Sequence, residues 1–384
     1  MKKIILSAAS LAVAAVASVS VAPTTSEAIP AFARQTGSAC LSCHFQSFPT
    51  LAAYGRAFKM GGMTDVGDQA LVEDEGLSIP AMVNWTAMVR PNFTSTDTGT
   101  KVNEFQFADQ VFMIGGRAGE HTGVFLEVGG GAYANAQMIN SFDMGDMKAG
   151  VTISSTGFGE DAGMQVMSVW GQHGGLLGGK SLTINGAMAG SNSVNNGVAF
   201  WAGSDSWVAQ LGFVNSVESV EAGVQPNFRF SPVLRGNYFL EAGDWEIGLG
   251  AIAVTGSVKT QDQKRTGIDA QALGEVGDMQ IGVFADWATA PAGTATATNA
   301  YNASLTDSRT GYSLRATVKP THNLIFLAGL GQDKTGTAKL DKTLVGVEYE
   351  MYQNGVINLT YGSDKDSTTN VTTKTTGLEF ELLI

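Results

Sequence analysis

Residues 40–44 read CLSCH, and Cys40 and Cys43 are the only cysteines in the 384-residue chain. Two thiols at this spacing have three uses: a disulfide, a redox dithiol, or a pair of thioether bonds to a haem. His44 separates them. A histidine directly after the second cysteine is where a covalently attached haem takes its proximal iron ligand, and C-x-x-C-H is the attachment pattern of c-type haem. A disulfide has no need of that histidine, and a thioredoxin-like dithiol requires a βαβ setting that the sequence lacks. The motif therefore predicts one covalent haem c, with Cys40 and Cys43 as thioether positions and His44 as the iron ligand.

The elements that must position such a group begin with an export signal. Lys2 and Lys3 precede an apolar stretch from Ile4 to Val21, and Ser26 and Ala28 put small residues where a signal peptidase reads. Residues 1–28 are expected to be cleaved as a signal peptide. Beyond them no stretch approaches the ~18 uninterrupted apolar residues of a spanning helix. The chain has 48 glycines, only 15% charged residues and a formal net charge of −12. Loss of Lys2, Lys3 and Glu27 with the signal makes the protein one unit more negative. That balance repels nucleic acid and favours cationic partners or metal cations.

From about Ile79 onward the apolar residues recur with period two. Val83, Trp85, Ala87, Val89 and Phe93 alternate with Asn84, Thr86, Met88, Arg90 and Asn92. Tyr312, Leu314, Ala316 and Val318 alternate with Ser313, Arg315, Thr317 and Lys319. Val345, Val347, Tyr349 and Met351 alternate with Gly346, Glu348, Glu350 and Tyr352, and Leu378, Phe380, Leu382 and Ile384 flank Glu379 and Glu381. A strand turns successive side chains to opposite faces of its sheet, so each segment has one apolar and one polar face.

A soluble barrel or sandwich and a transmembrane barrel share this signal, with the apolar faces inward in one and outward in the other. The connections favour the second. Short turns at Glu241–Asp244, Val276–Asp278, Pro320–Asn323 and Gln353–Gly355 alternate with longer polar stretches at 257–265, 290–308, 331–340 and 363–372. Outer-membrane barrels have this asymmetry of periplasmic turns and outer loops. Trp201, Trp207 and Trp245 lie beside short turns and Trp287 before a long loop, as two aromatic girdles require. Counting back from the C-terminus gives nine strands to about Arg229, two more at 197–203 and 206–215, and about five before them. The expected fold is all-β, a transmembrane antiparallel barrel of about 16 strands over residues 77–384, in the outer membrane of a Gram-negative cell. The stretch 155–179 fits either a long loop folded into the lumen or two further strands. Ile384 stands where such barrels commonly end on an aromatic residue.

Residues 29–76 are too few for an independent cytochrome domain, because so short a chain buries too little surface. The segment is expected to seat its haem in the lumen or against the periplasmic mouth. Its sequence, IPAFARQTGSACLSCHFQSFPTLAAYGRAFKMGGM, closely resembles the N-terminus of the fused monohaem cytochrome–porins of iron-oxidising bacteria. The resemblance covers residues 29–63, through PAFARQTG, CxxCH, FP and YGRAFK, and beyond residue 80 it is one of architecture alone. It implies an outer-membrane iron oxidase that takes electrons from extracellular Fe(II) and passes them to periplasmic c-type cytochromes.

Other roles are less sharply marked. Met60 or Met63 is the candidate distal iron ligand, a Met/His pair giving a high haem potential, although KMGGM also reads as an ordinary turn. His121 and His173 are alternatives, as is an open distal position. Arg34, Arg56 and Lys59 are candidates to pair with the haem propionates, since charged donors satisfy carboxylates well; solvated or lumenal charge is the competing reading. Phe32, Phe45, Phe48, Tyr54 and Phe58 would pack around the macrocycle or simply form core. The loop acids Asp262, Asp307, Asp333, Asp364 and Asp366 are assigned no iron site. Nucleophile triads, Walker loops and zinc spacings are absent from the sequence. Two rivals stand beside the iron-oxidase reading: a diffusion porin with a haem-bearing plug, and a barrel that carries electrons between a different donor and acceptor.

Overall fold

The computed structural model describes residues 30–129, 132–155, 163–167, 169–170, 181–189, 196–215, 231–258 and 261–384. Residues 1–28, expected to be a signal peptide, and His173 lie outside the described residues. Sixteen antiparallel strands close into one barrel. The first eight are β1 (Trp85–Asp97), β2 (Lys101–Gly119), β3 (Thr122–Gly129), β4 (Ala132–Asp143), β5 (Lys148–Ser155), β6 (Asn196–Ser204), β7 (Trp207–Asn215) and β8 (Ser231–Ala242). The second eight are β9 (Trp245–Val254), β10 (Arg265–Val276), β11 (Met279–Ala290), β12 (Arg309–Thr321), β13 (Leu324–Thr335), β14 (Ala338–Tyr352), β15 (Gly355–Asp366) and β16 (Thr372–Leu383). Every strand pairs with its neighbours in sequence, and β16 closes the ring on β1. Reciprocal Ala87–Ile384 backbone hydrogen bonds of 3.1 and 2.8 Å seal that seam.

The faces settle which kind of barrel this is. In β16 Leu378 is 48% exposed, while Glu379 and Glu381 beside it are 1% and 6% exposed. In β12 Leu314 points out and Ser313, Arg315 and Thr317 are buried within. In β1 Trp85 and Phe93 face out while Thr86 and Asn92 face in. Apolar residues outward and polar residues inward is the arrangement of a barrel solvated by lipid.

Strand order matches the nine, two and five read from the sequence, and two details do not. The polar stretches 331–340 and 363–372 are mostly ladder: β13 and β14 stay paired to Thr335 and Ala338, β15 runs to Asp366, and β16 resumes at Thr372. Above the lipid, polar side chains are solvated while the backbone pairing continues, so polarity alone cannot tell a hairpin extension from a loop. Gly336, at φ +60°, makes the tight reversal between β13 and β14. Trp201 is the second departure: it is buried and faces the interior, not the girdle. Its neighbour Phe200 takes the outward position, and with both residues aromatic the alternation could not choose between them.

The interior is filled from both ends. Three short helices, α1 (Pro30–Thr36), α2 (Cys40–Cys43) and α3 (Ala53–Met60), precede the barrel, and a small hairpin (Leu71–Asp74 with Leu77–Pro80) links them to it. The β5–β6 connection enters the lumen as a long loop: Met164, Val166 and Trp170 are buried, and α4 (Ile184–Ala189) packs against β11 and β12. Because β5 pairs directly with β6, its described part holds no further barrel strands. Met60 and Met63 from the N-terminal segment, Met167 and Trp170 from this loop, and Phe125 and Phe239 from the wall belong to one apolar cluster.

Leu378→Arg places a charge on the lipid face mid-strand. It should lower the folding stability of the barrel in bilayers by about 2–4 kcal/mol, measured by denaturant-dependent folding into vesicles. Tolerance of that substitution would mean that the outward face does not contact lipid.

Candidate functional site

The segment carrying CLSCH is fixed from α1 onward. Pro30 opens α1, where a missing backbone N–H costs nothing, and the Ala31 N–H donates to Thr86 Oγ1 of β1 at 2.9 Å. Gln35 is fully buried. Its Nε2 donates to the carbonyls of Met63 and Asp65 at 2.8 and 2.7 Å, and its Oε1 accepts from the Arg117 N–H at 2.9 Å. One side chain thus ties the first helix, the end of α3 and strand β2 together. Gly37, at φ +68°, ends α1 and lets the chain reverse into α2.

Cys40 and Cys43 occupy the single turn of α2, and the His44 N–H continues it by donating to the Cys40 carbonyl at 2.9 Å. Gly55 of α3 lies so close that a Cβ there would fall 2.2 Å from the Cys43 carbonyl oxygen. The two helices therefore meet backbone to backbone, which explains the glycine in YGRAF. The chain then turns at Gly61 and Gly62, and Ser141 of β4 donates its hydroxyl to the Met60 carbonyl at 2.5 Å. Gly62 and Gly123 meet at a close backbone approach, where a side chain on Gly123 would strike the Gly62 carbonyl.

All of these wall contacts lie at the short-turn end. Gln46 donates to the Gln280 carbonyl at 2.7 Å and accepts from the Thr317 hydroxyl at 2.6 Å, while Lys319 donates to the Gln46 carbonyl at 2.6 Å. Arg56 forms a two-pronged pair with Glu246, one arm at 2.7 Å, and lies over the Phe239 ring at 4.1 Å. The segment sits inside the barrel, just within the short turns.

The chemistry around CLSCH is consistent with thioether attachment. No disulfide joins Cys40 and Cys43, and both are buried. Burial and then Asp65 push the Cys43 thiol up to about 11, the reverse of the lowered pKa that activates an exchanging dithiol. His44 is buried with its ring edge-on to Phe48 at 5.4 Å, and its Nδ1 makes no hydrogen bond of normal geometry. Burial lowers its pKa to about 4, against the opposing pull of the Thr50 and Pro49 carbonyls. A neutral imidazole is the form that ligates a metal. The residues present fit a covalent haem at this turn.

The remaining predicted residues are distributed differently. Arg34 donates to the Trp85 carbonyl at 2.7 Å and lies 5.7 Å from the Trp85 ring, at the mouth. Arg34 is exposed, and Arg56 has a lumenal carboxylate partner in Glu246. Lys59 is close enough to His44 to disfavour its protonated form. Met60 and Met63 are both buried in the apolar cluster and not in a solvated turn. His121 is on the exposed β2–β3 turn with its ring against Phe142 at 5.1 Å, and His322 is on the exposed β12–β13 turn, so neither enters the lumen. Among the described residues no group of three or more His, Cys, Asp or Glu is arranged to hold a metal ion.

Sequence reasoning missed the lumenal clamp on the inner loop. Arg235 pairs with Asp269 through bonds of 2.5 and 2.9 Å, Trp170 Nε1 donates to Asp269 at 3.2 Å, and Arg235 and Arg265 lie 5.0 and 5.1 Å from the Trp170 ring. The Asn185 N–H donates to Asp286 at 2.7 Å. The signal available was the recurrence of Arg and Asp at inward strand positions, which a polar lumen alone does not require.

No protein-family model matches this sequence, and no curated protein matches it. The similarity is structural. The outer-membrane channel DcaP of Acinetobacter baumannii superposes with a TM-score of 0.53 at 9% identity, covering 79% of this chain and 97% of that one. An anion-selective porin from Comamonas acidovorans gives 0.52 at 10% identity, covering 79% and 99%. In-vitro folded OmpT of Vibrio cholerae gives 0.52 at 12%, covering 83% and 100%. At such identities the likeness shows the fold: a porin-like β-barrel of the Gram-negative outer membrane.

Arg56→Met removes the cation and leaves Glu246 half-buried and unpaired. Breaking a buried pair costs about 3–5 kcal/mol, and the partial exposure of Glu246 should bring this to about 2 kcal/mol. Limited trypsin digestion in detergent should then cut faster at Lys59, and Arg56→Met with Glu246→Leu should restore part of the protection. Unchanged digestion would show that the ion pair does not hold the segment in the lumen.

Proposed function

We propose that this protein is an outer-membrane electron-transfer barrel, which takes electrons from extracellular Fe(II) and passes them to a periplasmic c-type cytochrome through one haem c on the N-terminal segment. The observation that carries the reading is the CLSCH turn held inside the short-turn end of the barrel, with Cys40, Cys43 and His44 all buried and the two thiols not joined to each other.

Cys40 and Cys43 would hold the group by thioether bonds and His44 would ligate its iron, with Met60 or Met63 the candidate for a second ligand. When bound, haem c supplies a one-electron iron couple whose potential is tuned by axial ligand and burial. The chain's own residues do the positioning. Gln35, Gln46 and Arg56 fix the segment to the wall, Gly55 lets α2 and α3 close, and Phe32, Phe45 and Phe58 pack against the apolar cluster. Ser42, between the cysteines, is exposed, so one edge of the turn is open to a soluble acceptor. The choice of Fe(II) as donor rests on the resemblance of residues 29–63 to the cytochrome–porins.

A second reading, a diffusion porin with a haem-bearing plug, is favoured by the likeness to porins and channels. The apolar cluster inside the lumen speaks against free diffusion, since a channel for polar solutes needs a polar, watered interior.

The deciding experiment uses the full-length protein, oxidised and reconstituted in liposomes. Anaerobic Fe(II) should reduce the haem bands rapidly, His44→Ala should abolish that reduction, and a double Cys40→Ser, Cys43→Ser variant should lack covalent haem altogether. Liposome swelling by small sugars should stay at background. A haem reduced by dithionite but not by Fe(II) would refute the iron donor, and swelling at porin rates would favour the diffusion reading.

A further inference from the structure

Four strands near the barrel seam carry a patch of buried polar side chains on the lumenal face, its carboxylates on β14 and β16. Glu348 of β14 stands opposite Asn358 of β15, Asn358 opposite Glu379 of β16, and Glu379 opposite Asn92 of β1. The four form one transverse row on the lumenal face, with exposures of 5%, 1%, 1% and 6%. A second row, two residues nearer the short turns, holds Glu350, Glu381 and Arg90.

The ion pairs of this patch are uneven. Arg90 faces Glu379 at 3.3 Å and Glu381 at 3.7 Å, and Lys319 bonds Glu350 at 2.8 Å. Glu348 makes no ion pair within 4 Å among the described residues; the Ser47 hydroxyl of the N-terminal segment and the Lys319 ammonium lie beside it. Three oxygens in the first row are buried and accept no hydrogen bond: Glu348 Oε1, Asn358 Oδ1 and Asn92 Oδ1. The row is thus rich in acceptors and poor in donors, and each buried acceptor left unmade is costly.

We propose that this row is a binding site for one divalent, oxygen-preferring cation of the calcium, magnesium or manganese class, centred between Glu348, Asn358 and Glu379, with Asn92 at its edge. Two carboxylates and carboxamide oxygens are the hard ligands such ions take. Neighbouring strands lie about 4.8 Å apart, so glutamates flanking a central asparagine can bring their oxygens to one point in front of it. The cation would satisfy the acceptor atoms of Glu348, Asn358 and Asn92 that have no donor. Because the row also meets the Ser47 stretch of the plug, an ion here would brace segment and wall together. The site rests on barrel residues alone and stands whether or not a haem is bound.

The test is a Mn²⁺ titration of the chelator-washed full-length protein in detergent, followed by electron paramagnetic resonance, with Ca²⁺ and Mg²⁺ as competitors. One saturable site per chain is expected. Glu348→Gln and, separately, Asn358→Leu should each weaken it at least tenfold, while Asp366→Asn in the outer part of β15 should leave it unchanged. Heat-modifiable migration on gels reports that each variant is folded. Asn92→Ser is the milder substitution if the others fail to fold, and it should weaken binding severalfold. The absence of a saturable site in the wild type, or equal affinity in folded Glu348→Gln, would overturn the proposal and leave the row as protonated or hydrated carboxyls.

Discussion

A strand inside a bilayer has no water to complete its backbone hydrogen bonds, so the ladder must close on itself. Everything else in this molecule follows from the closure of β16 on β1. A closed barrel has two surfaces of opposite character, and lipid claims the outer one. Period-two alternation then sends every second residue inward, and the polar and charged side chains collect in the lumen. Arg235, Asp269, Arg315, Lys319 and Glu379 are buried for this reason. Whatever enters the lumen must offer partners to such a wall.

The N-terminal segment answers that demand. It has too little surface of its own to fold alone, and it borrows the barrel's interior as the other half of its core. Gln35, Gln46 and Arg56 each bond residues distant in sequence, and such bonds contribute on the order of 1 kcal/mol apiece, more where a charge takes part. Their combined effect also fixes orientation. CLSCH is held at the short-turn end because the partners of Gln46 and Arg56, namely Thr317, Lys319 and Glu246, are all close to short turns.

The sequence made some of this legible, for reasons that are physical. Alternation is local, so strands and their order could be read residue by residue, and the CLSCH motif is five consecutive residues. The outward direction of Leu378 and Leu314 was not in the alternation itself; it came from the asymmetry between short and long connections. Trp201 was misread because Phe200 beside it satisfies the same pattern. The extended hairpins at 331–340 and 363–372 were illegible because solvated ladder and solvated loop share a composition. The partner of Arg56 lies 190 residues away and that of Gln46 271 residues away. No spacing rule reaches so far, which is why neither partner was legible in the sequence.

What the lumen contains bears on what the barrel can do. An open pore keeps its polar wall wet, and polar side chains there need no protein partner. Here the wall residues Asp269 and Asp286 bond the inner loop, and Trp170 is held against two guanidinium groups. Met60 and Met63 from one end and Met164 and Met167 from the other belong to the same apolar cluster, so the two fillings share a core. Displacing either would expose apolar surface within the lumen and strand buried charges on the wall, and each stranded partner costs several kcal/mol. Solute flux would have to overcome both terms at once. The fold is therefore that of a porin, while the described part of the lumen is packed by the chain's own side chains.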